Sequence, residues 1–208
     1  MKITVFGASG KVGKLIVEEL LRQGHEVTAF IHRTSMEPSH RLKIIKGDIY
    51  GKKDVDAALS DCDAVISALS SWGTPSMDIL SAAMQNIIPA MKEKGIKRIV
   101  SLTGSGAKVP GEKSSLVDLV AKKLLKPFAG KVFEDGEKHI ELLNSSALDW
   151  TIIRSPVMTS YGNPGSFKVS LDNPRLWATI HRQSVALSIA ELASSNDFCK
   201  QAPFITRG

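Results

Sequence analysis

Short runs rich in β-branched and apolar residues recur along the chain and predict strands over Ile3–Phe6, Val27–Ile31, Leu42–Ile45, Ala64–Leu69, Arg98–Leu102 and Trp150–Arg154. Between them, apolar residues spaced three and four apart predict helices over Val12–Gln23, Val55–Leu59, Met77–Lys94, Leu116–Leu125, Lys138–Ser145 and Val185–Ser194. The third helix carries Leu80, Ala83, Met84, Ile87, Ile88 and Met91 as one core stripe, and Pro89 inside it predicts a kink. Strands alternating with helices in this way predict an α/β architecture: a doubly wound, mostly parallel sheet covered on both faces. No internal repeat, low-complexity tract or linker divides residues 1–208, so one domain is expected.

Two stretches interrupt the alternation. Residues 104–136 carry Pro110, Gly111, Pro127, Gly130 and a cationic helix with Leu116, Val120 and Leu124 on one side. Residues 156–173 carry Gly162, Pro164, Gly165 and a short strand, Phe167–Leu171. Both follow late strands, whose carboxyl ends form the ligand-facing edge of such a sheet. They are candidate substrate-pocket or lid segments, with plain surface decoration as the alternative.

The opening strand flows directly into glycines at 7, 10 and 13 and then into an amphipathic run that closes at Gly24. Strand, glycine-rich turn and helix in that order is the geometry that holds a dinucleotide pyrophosphate. Gly7 permits the tight turn, Gly10 lets backbone approach phosphate, and Gly13 lets the helix pack closely. The first N–H groups of a helix lack partners and favour an anion. A glycine turn that binds nothing is the simpler alternative.

The chain has 208 residues and 43% hydrophobic content, enough for a full core. It holds no apolar run of about 18 residues, so no membrane span is expected. A strand beginning at Ile3 leaves no room for a secretory leader, and Cys62 and Cys199 have no metal-like spacing. A cytoplasmic location and no metal site are the expectations. The net charge of +6 and pI near 9.3 invite a nucleic-acid partner, but the basic residues are scattered, Lys122-Lys123 included. A phosphate-rich cofactor accounts for the excess equally well, and no nucleic acid is expected.

In an NAD site the second strand ends in an acid that takes the ribose hydroxyls. Here it ends Phe30-Ile31-His32-Arg33-Thr34-Ser35, with Arg33 twenty positions past Gly13. A guanidinium pairs with a 2′-phosphate that a carboxylate would repel. Thr34 and Ser35 add hydroxyl donors and Lys11 adds charge, so NADP(H) is preferred over NAD(H). A solvated Arg33 is the alternative. Asp48, in Gly47-Asp48-Ile49, either accepts from an adenine amino group or caps the next helix.

Gly-x-x-Gly-x-x-Gly, Arg33, Gly47-Asp48, Asp63-Ala-Val-Ile-Ser-Ala68 and Leu148-Asp-Trp-Thr-Ile-Ile-Arg154 together resemble small NAD(P)H-binding members of the atypical short-chain dehydrogenase/reductase superfamily. Gly165-Ser-Phe-Lys-Val-Ser-Leu-Asp172 is similar to the late strand of its flavin reductase and biliverdin-IXβ reductase branch. The resemblance implies a Rossmann-like sheet with adenine near Asp48 and Ile49. It places phosphates along Ser9 to Val12, nicotinamide near Thr103, Pro156 and Val157, and Ala68 and Leu69 along the cofactor. The better-known members use a Tyr-x-x-x-Lys pair as proton donor. This chain has only Tyr50 and Tyr161, followed four residues later by Asp54 and Gly165, so the pair is absent.

An isoalloxazine or linear tetrapyrrole needs no such donor, because it accepts hydride into a delocalised system. A small planar acceptor such as flavin is therefore the expected partner, aligned by proximity. The catalytic residues stay open, with Thr103, Ser105, Lys138 and His139 as candidates; capping or solvation serves as well for each. A serine of the flavin-reductase pocket falls at Gly104, and Ser184 stands where an Asp often starts the last helix. His25, His40 and His181 are expected on the surface, and Met158 and Phe167 either line a pocket or fill core. Two rivals remain: a non-catalytic NADP(H) sensor with a protein partner, and an NADP-dependent isomerase or carbonyl reductase.

Overall fold

The computed structural model describes residues 1–33, 36–72, 74, 76–112, 116–174 and 177–208, with backbone alone over 116–129. Thr34 and Ser35 fall outside the described residues, as do the side chains of Leu116, Val120, Lys122, Lys123 and Leu124.

Strands buried on both faces belong inside a covered sheet, and the most apolar runs of this chain sit there. In chain order the elements are β1 (Lys2–Phe6), α1 (Lys11–Arg22), β2 (Glu26–Ile31), β3 (Leu42–Lys46), α2 (Lys52–Ala58), β4 (Ala64–Ser67), α3 (Ile79–Glu93) and β5 (Arg98–Gly104). They continue with α4 (Leu116–Asn144), β6 (Asp149–Ser155), β7 (Val157–Thr159), β8 (Phe167–Ser170), β9 (Thr179–His181), α5 (Arg182–Ala193) and β10 (Phe204–Arg207). The main sheet runs β3-β2-β1-β4-β5-β6-β10-β8, parallel throughout except for β8 against β10. β7 and β9 form a separate parallel pair. This is the expected Rossmann-like, doubly wound α/β fold.

Side-chain alternation divides the core into two layers. Ile3, Val5, Ala29, Ile66, Val100 and Ile153 face α1 and α5; Phe6, Phe30, Val65, Ile99, Trp150 and Ile152 face α2, α3 and α4. At the amino end of β5, Arg98 is buried and bridges strand to helix. Its Nη1 donates to the Asp149 carbonyl at 3.0 Å and Thr151 Oγ1 at 2.9 Å, and Nη2 donates to the Leu192 carbonyl at 2.7 Å. Leu192 lies in the last turn of α5, where carbonyls have no intrahelical donor and a cation is favoured.

Three expectations change. The helices expected over Leu116–Leu125 and Lys138–Ser145 are one 29-residue helix that passes through Pro127, Gly130 and Gly136. Most of the 104–136 segment is therefore regular structure rather than loop. α3 runs on through Pro89 without interruption; Pro89 and Gln85, whose carbonyl it leaves without a donor, are both exposed to water. β10 was not expected; it completes the sheet between β6 and β8. β7 and β9 were not expected as strands either, being three residues each.

Candidate functional site

The chain runs outward from β1 to β3, then returns to β4 and continues the other way. That reversal opens a crevice at the carboxyl ends of β1 and β4, where ligands bind in open α/β sheets. The glycine turn lies in it. Gly7 has φ +78°, and a Cβ there would come within 2.8 Å of the Ala68 carbonyl carbon and oxygen. β1's turn therefore rests against the backbone after β4, with Ala68 and Leu69 half-buried beside it.

Gly10 is the N-cap of α1, extended at φ −72°, ψ 168°, and no side chain bonds to the helix terminus. Its N–H donates to the Gly7 carbonyl at 3.0 Å, and Lys14 N donates back to the Gly10 carbonyl at 3.0 Å. The first turn of α1 carries no acidic residue. Uncapped amides with their positive dipole end, and no Cβ on Gly10 to cover them, fit a diphosphate. Gly13 is the tightest position: a Cβ would stand 2.0 Å from the Gly7 oxygen. Its close packing is against the turn itself. Ser9 is half-buried and Val12 buried, while Lys11 is exposed at the entrance.

Arg33 and His32 are exposed just beyond β2. Ile49 is buried at 6% exposure and Asp48 is exposed beside it. Asp48 does not cap the following helix, whose N-cap is Gly51. Asp48 Oδ1 instead accepts from Tyr50 N at 3.0 Å, and its own N–H donates to Asp54 Oδ2 at 2.8 Å. The loop is thus held from within.

At the other end of the crevice, Thr103 is buried on β5. The α4 residue against it is Gly136, where a Cβ would lie 2.9 Å from Thr103 Oγ1. Ser105 N donates to the Ser155 carbonyl at 2.8 Å, joining the loop after β5 to the end of β6. Pro156 is buried and Val157 is exposed. The other two catalytic candidates lie on α4. Lys138 is exposed on α4. His139 is fully buried, its Nε2 2.8 Å from Ser101 Oγ, and it serves the packing of α4 on β5. His181 is no free surface residue, since its Nδ1 accepts from Gln183 N at 3.1 Å and caps α5. Ser184, expected at that cap, donates its hydroxyl to the Pro164 carbonyl at 2.7 Å. Met158 and Phe167 pack against the core.

Burial pushes His139 from its ordinary 6.5 down to about 4, with the charge of Asp135 partly opposing the shift. The unfolded chain therefore takes up this proton first as pH falls. The contribution to stability is complete above pH 6.5 and is lost as pH falls toward about 4. The expected loss is about 3 kcal/mol. Urea unfolding at a series of pH values checks this: His139→Gln should flatten the slope, and an unchanged slope would assign it elsewhere.

Two further groups escaped the sequence reading. Asp135 on α4 is buried and accepts from Ser71 Oγ, from Leu80 N at 3.0 Å and from Ser81 N at 2.9 Å. Arg154, at 4% exposure, pairs with Glu112 at 2.6 Å, donates to the Ala202 carbonyl and stacks 3.7 Å from the Phe204 ring centre. It clasps the loop after β5 onto β6 and β10. Their partners lie 55 and 42 residues away in the chain, so no local spacing announces either. Among the described residues no cluster of His, Cys, Asp and Glu is arranged to hold a metal, and no helix is long and apolar enough to cross a membrane.

A family model described as NAD(P)H-binding matches residues 7–196. The Bacillus subtilis protein YwnB is 26% identical over 179 residues, which cover 83% of this chain and 81% of that one. The photosystem II assembly factor Ycf39 of Synechocystis is 32% identical over 108 residues, but these cover 48% of this chain and 32% of that protein. Among solved structures, a putative NAD-dependent epimerase/dehydratase from Bacillus halodurans superposes with TM-score 0.80 at 22% identity, over 100% of this chain and 94% of that one. ChuY, described as an anaerobilin reductase from Escherichia coli O157:H7, gives TM-score 0.80 at 20% identity, covering 100% and 97%. A short-chain dehydrogenase/reductase from Veillonella parvula in complex with NADP gives 0.79 at 17% identity, covering 99% and 94%. These structural likenesses establish the fold.

Proposed function

Since this chain belongs to the NAD(P)H-binding family, within the atypical short-chain dehydrogenase/reductase superfamily, we propose that it is an NADPH-dependent reductase passing hydride to a flavin or a similarly planar acceptor. The observation that carries the proposal is Gly136. The α4 position against Thr103 has no side chain, so neither phenol nor ammonium reaches the nicotinamide end from there. A carbonyl substrate would lack a positioned acid. A conjugated ring system takes up hydride without one and draws its proton from solvent.

Exposed aromatic faces on loops after β4 and β7 and before β9 support a flat acceptor. Trp72, after β4, is 66% exposed; Tyr161, after β7, is 88% exposed; and Trp177, before β9, is 81% exposed. Such faces offer stacking surface at little entropic cost. The likeness in fold to ChuY, a reductase by its description, points the same way.

Reduced nicotinamide, when bound, supplies the hydride. The protein's own part is to hold the diphosphate on the α1 amides, to pair Arg33 and Lys11 with a 2′-phosphate, and to align two rings at the Thr103 end. No nucleic acid and no membrane enters this function. Mixing the protein with NADPH and either FMN or riboflavin, and following the nicotinamide absorbance band, tests it. Oxidation well above the protein-free rate is expected. Tight NADP binding without turnover of flavins, quinones or tetrapyrroles would replace the reductase with a sensor.

A further inference from the structure

α3 begins without the cap its own sequence offers. Asp78 is the N-cap residue but makes no cap bond; its Oδ1 accepts instead from Tyr50 OH at 2.8 Å. The second and third N–H groups of the helix, on Leu80 and Ser81, go to the two carboxylate oxygens of Asp135 on α4. Those are the amides that an N-cap side chain ordinarily serves. The same carboxylate takes the Ser71 hydroxyl, from the loop that leaves β4 past Ala68 and Leu69. One buried anion thus joins α4, the start of α3 and the loop after β4.

Its place relative to the crevice matters. Strands β1 to β3 take the adenosine half of a dinucleotide in this fold, and β4 to β6 take the nicotinamide half. Asp135 precedes Gly136, which contacts Thr103, and Ser71 lies three residues beyond Ala68. On the adenosine side, the loop after β3 is tied within itself by Tyr50 N to Asp48 Oδ1 and Asp48 N to Asp54 Oδ2, and to α3 by Asn86 Nδ2 on the Ile49 carbonyl at 2.8 Å and by Tyr50 OH on Asp78. A carboxylate that accepts from three donors is a strong, directional tie.

We propose that Asp135 is a positioning residue that fixes the loop after β4 against α4 and so sets the nicotinamide half of the crevice more than the adenosine half. The inference rests on the NAD(P)H-binding assignment and deepens it.

Calorimetric titration of the full chain with NADPH and with 2′,5′-ADP, which carries the adenosine half alone, tests the proposal. In Asp135→Asn, NADPH affinity should fall about tenfold or more, the scale of a lost charged hydrogen bond. Affinity for 2′,5′-ADP should stay within about twofold. A fault in general folding would weaken both ligands together. Ser71→Ala leaves the α3 cap in place and should weaken NADPH by about threefold, again sparing 2′,5′-ADP. Equal losses for both ligands, or no loss in either variant, would overturn the positioning role. Should Asp135→Asn fail to fold, unchanged NADPH binding in Ser71→Ala overturns it alone. Failure of the unaltered chain to bind either ligand is a different result: it removes the cofactor assignment, and this inference with it.

Discussion

Gly13→Ala should lower folding stability by about 3 kcal/mol or more, and cofactor binding with it, although it adds one methyl group. The new carbon would stand 2.0 Å from the Gly7 oxygen, 2.8 Å from the Gly7 carbonyl carbon and 2.9 Å from Ala8 Cα. All three are backbone atoms of the turn, so no side chain can swing aside. Relief requires α1 to move off β1, which disturbs the packing of Val12, Ile16 and Val17 in the layer shared with α5. Gly10→Val makes the contrast. A Cβ at Gly10 meets only the Gly7 oxygen at 3.2 Å, and the residue already has an extended backbone. Its fold should stand while the branched side chain covers the α1 amides and abolishes NADPH binding. Urea unfolding and calorimetric titration of the two variants separate the effects. An undiminished unfolding midpoint for Gly13→Ala would contradict the packing argument, and undiminished affinity for Gly10→Val would remove the phosphate assignment.

Arg33→Asp should weaken NADPH by about 2 kcal/mol, roughly thirtyfold, and leave NADH essentially unaffected. Arg33 is exposed past the end of β2, and no ion pair engages it among the described residues, so its guanidinium is open to a phosphate. Reversing the charge replaces a bidentate attraction by repulsion, while NADH has no phosphate at that carbon. Lys11, exposed at the start of α1, would still supply some attraction and keeps the loss finite. Raised salt should shrink the difference between cofactors, because both groups face water. Parallel losses for NADPH and NADH would show that Arg33 does not read the phosphate.

The parts of the molecule legible in the sequence are those fixed by short-range rules. β1, its glycine turn and α1 follow from adjacent residues, as do the strands whose side chains are buried on both faces. The stretch around Pro127, Gly130 and Gly136 reads as broken because these residues look like breakers, yet the backbone continues through all three as one helix. At Gly136 the missing side chain is itself the contact, since it admits Thr103. β10, four residues long, gains its place only by pairing with β6 and β8. The site divides likewise. Its candidate adenosine and phosphate residues follow from spacing along one βαβ unit, whereas Asp135 and Arg154 act on partners brought near only by the finished sheet. His139 shows the converse: a polar residue near the right strand, drawn inward to meet Ser101.

The three tryptophans fall into two optical classes. Trp150, 2% exposed within the layer facing α4, should emit toward the blue and shift red only when that layer comes apart. Trp72, after β4, and Trp177, before β9, stand in water and should emit toward the red. Reduced nicotinamide absorbs where indole emits, so docking of the dinucleotide should dim both components by energy transfer, whereas unfolding should shift the blue component to the red. Intensity and wavelength in one emission spectrum of the unlabelled protein therefore carry occupancy and integrity as separable signals.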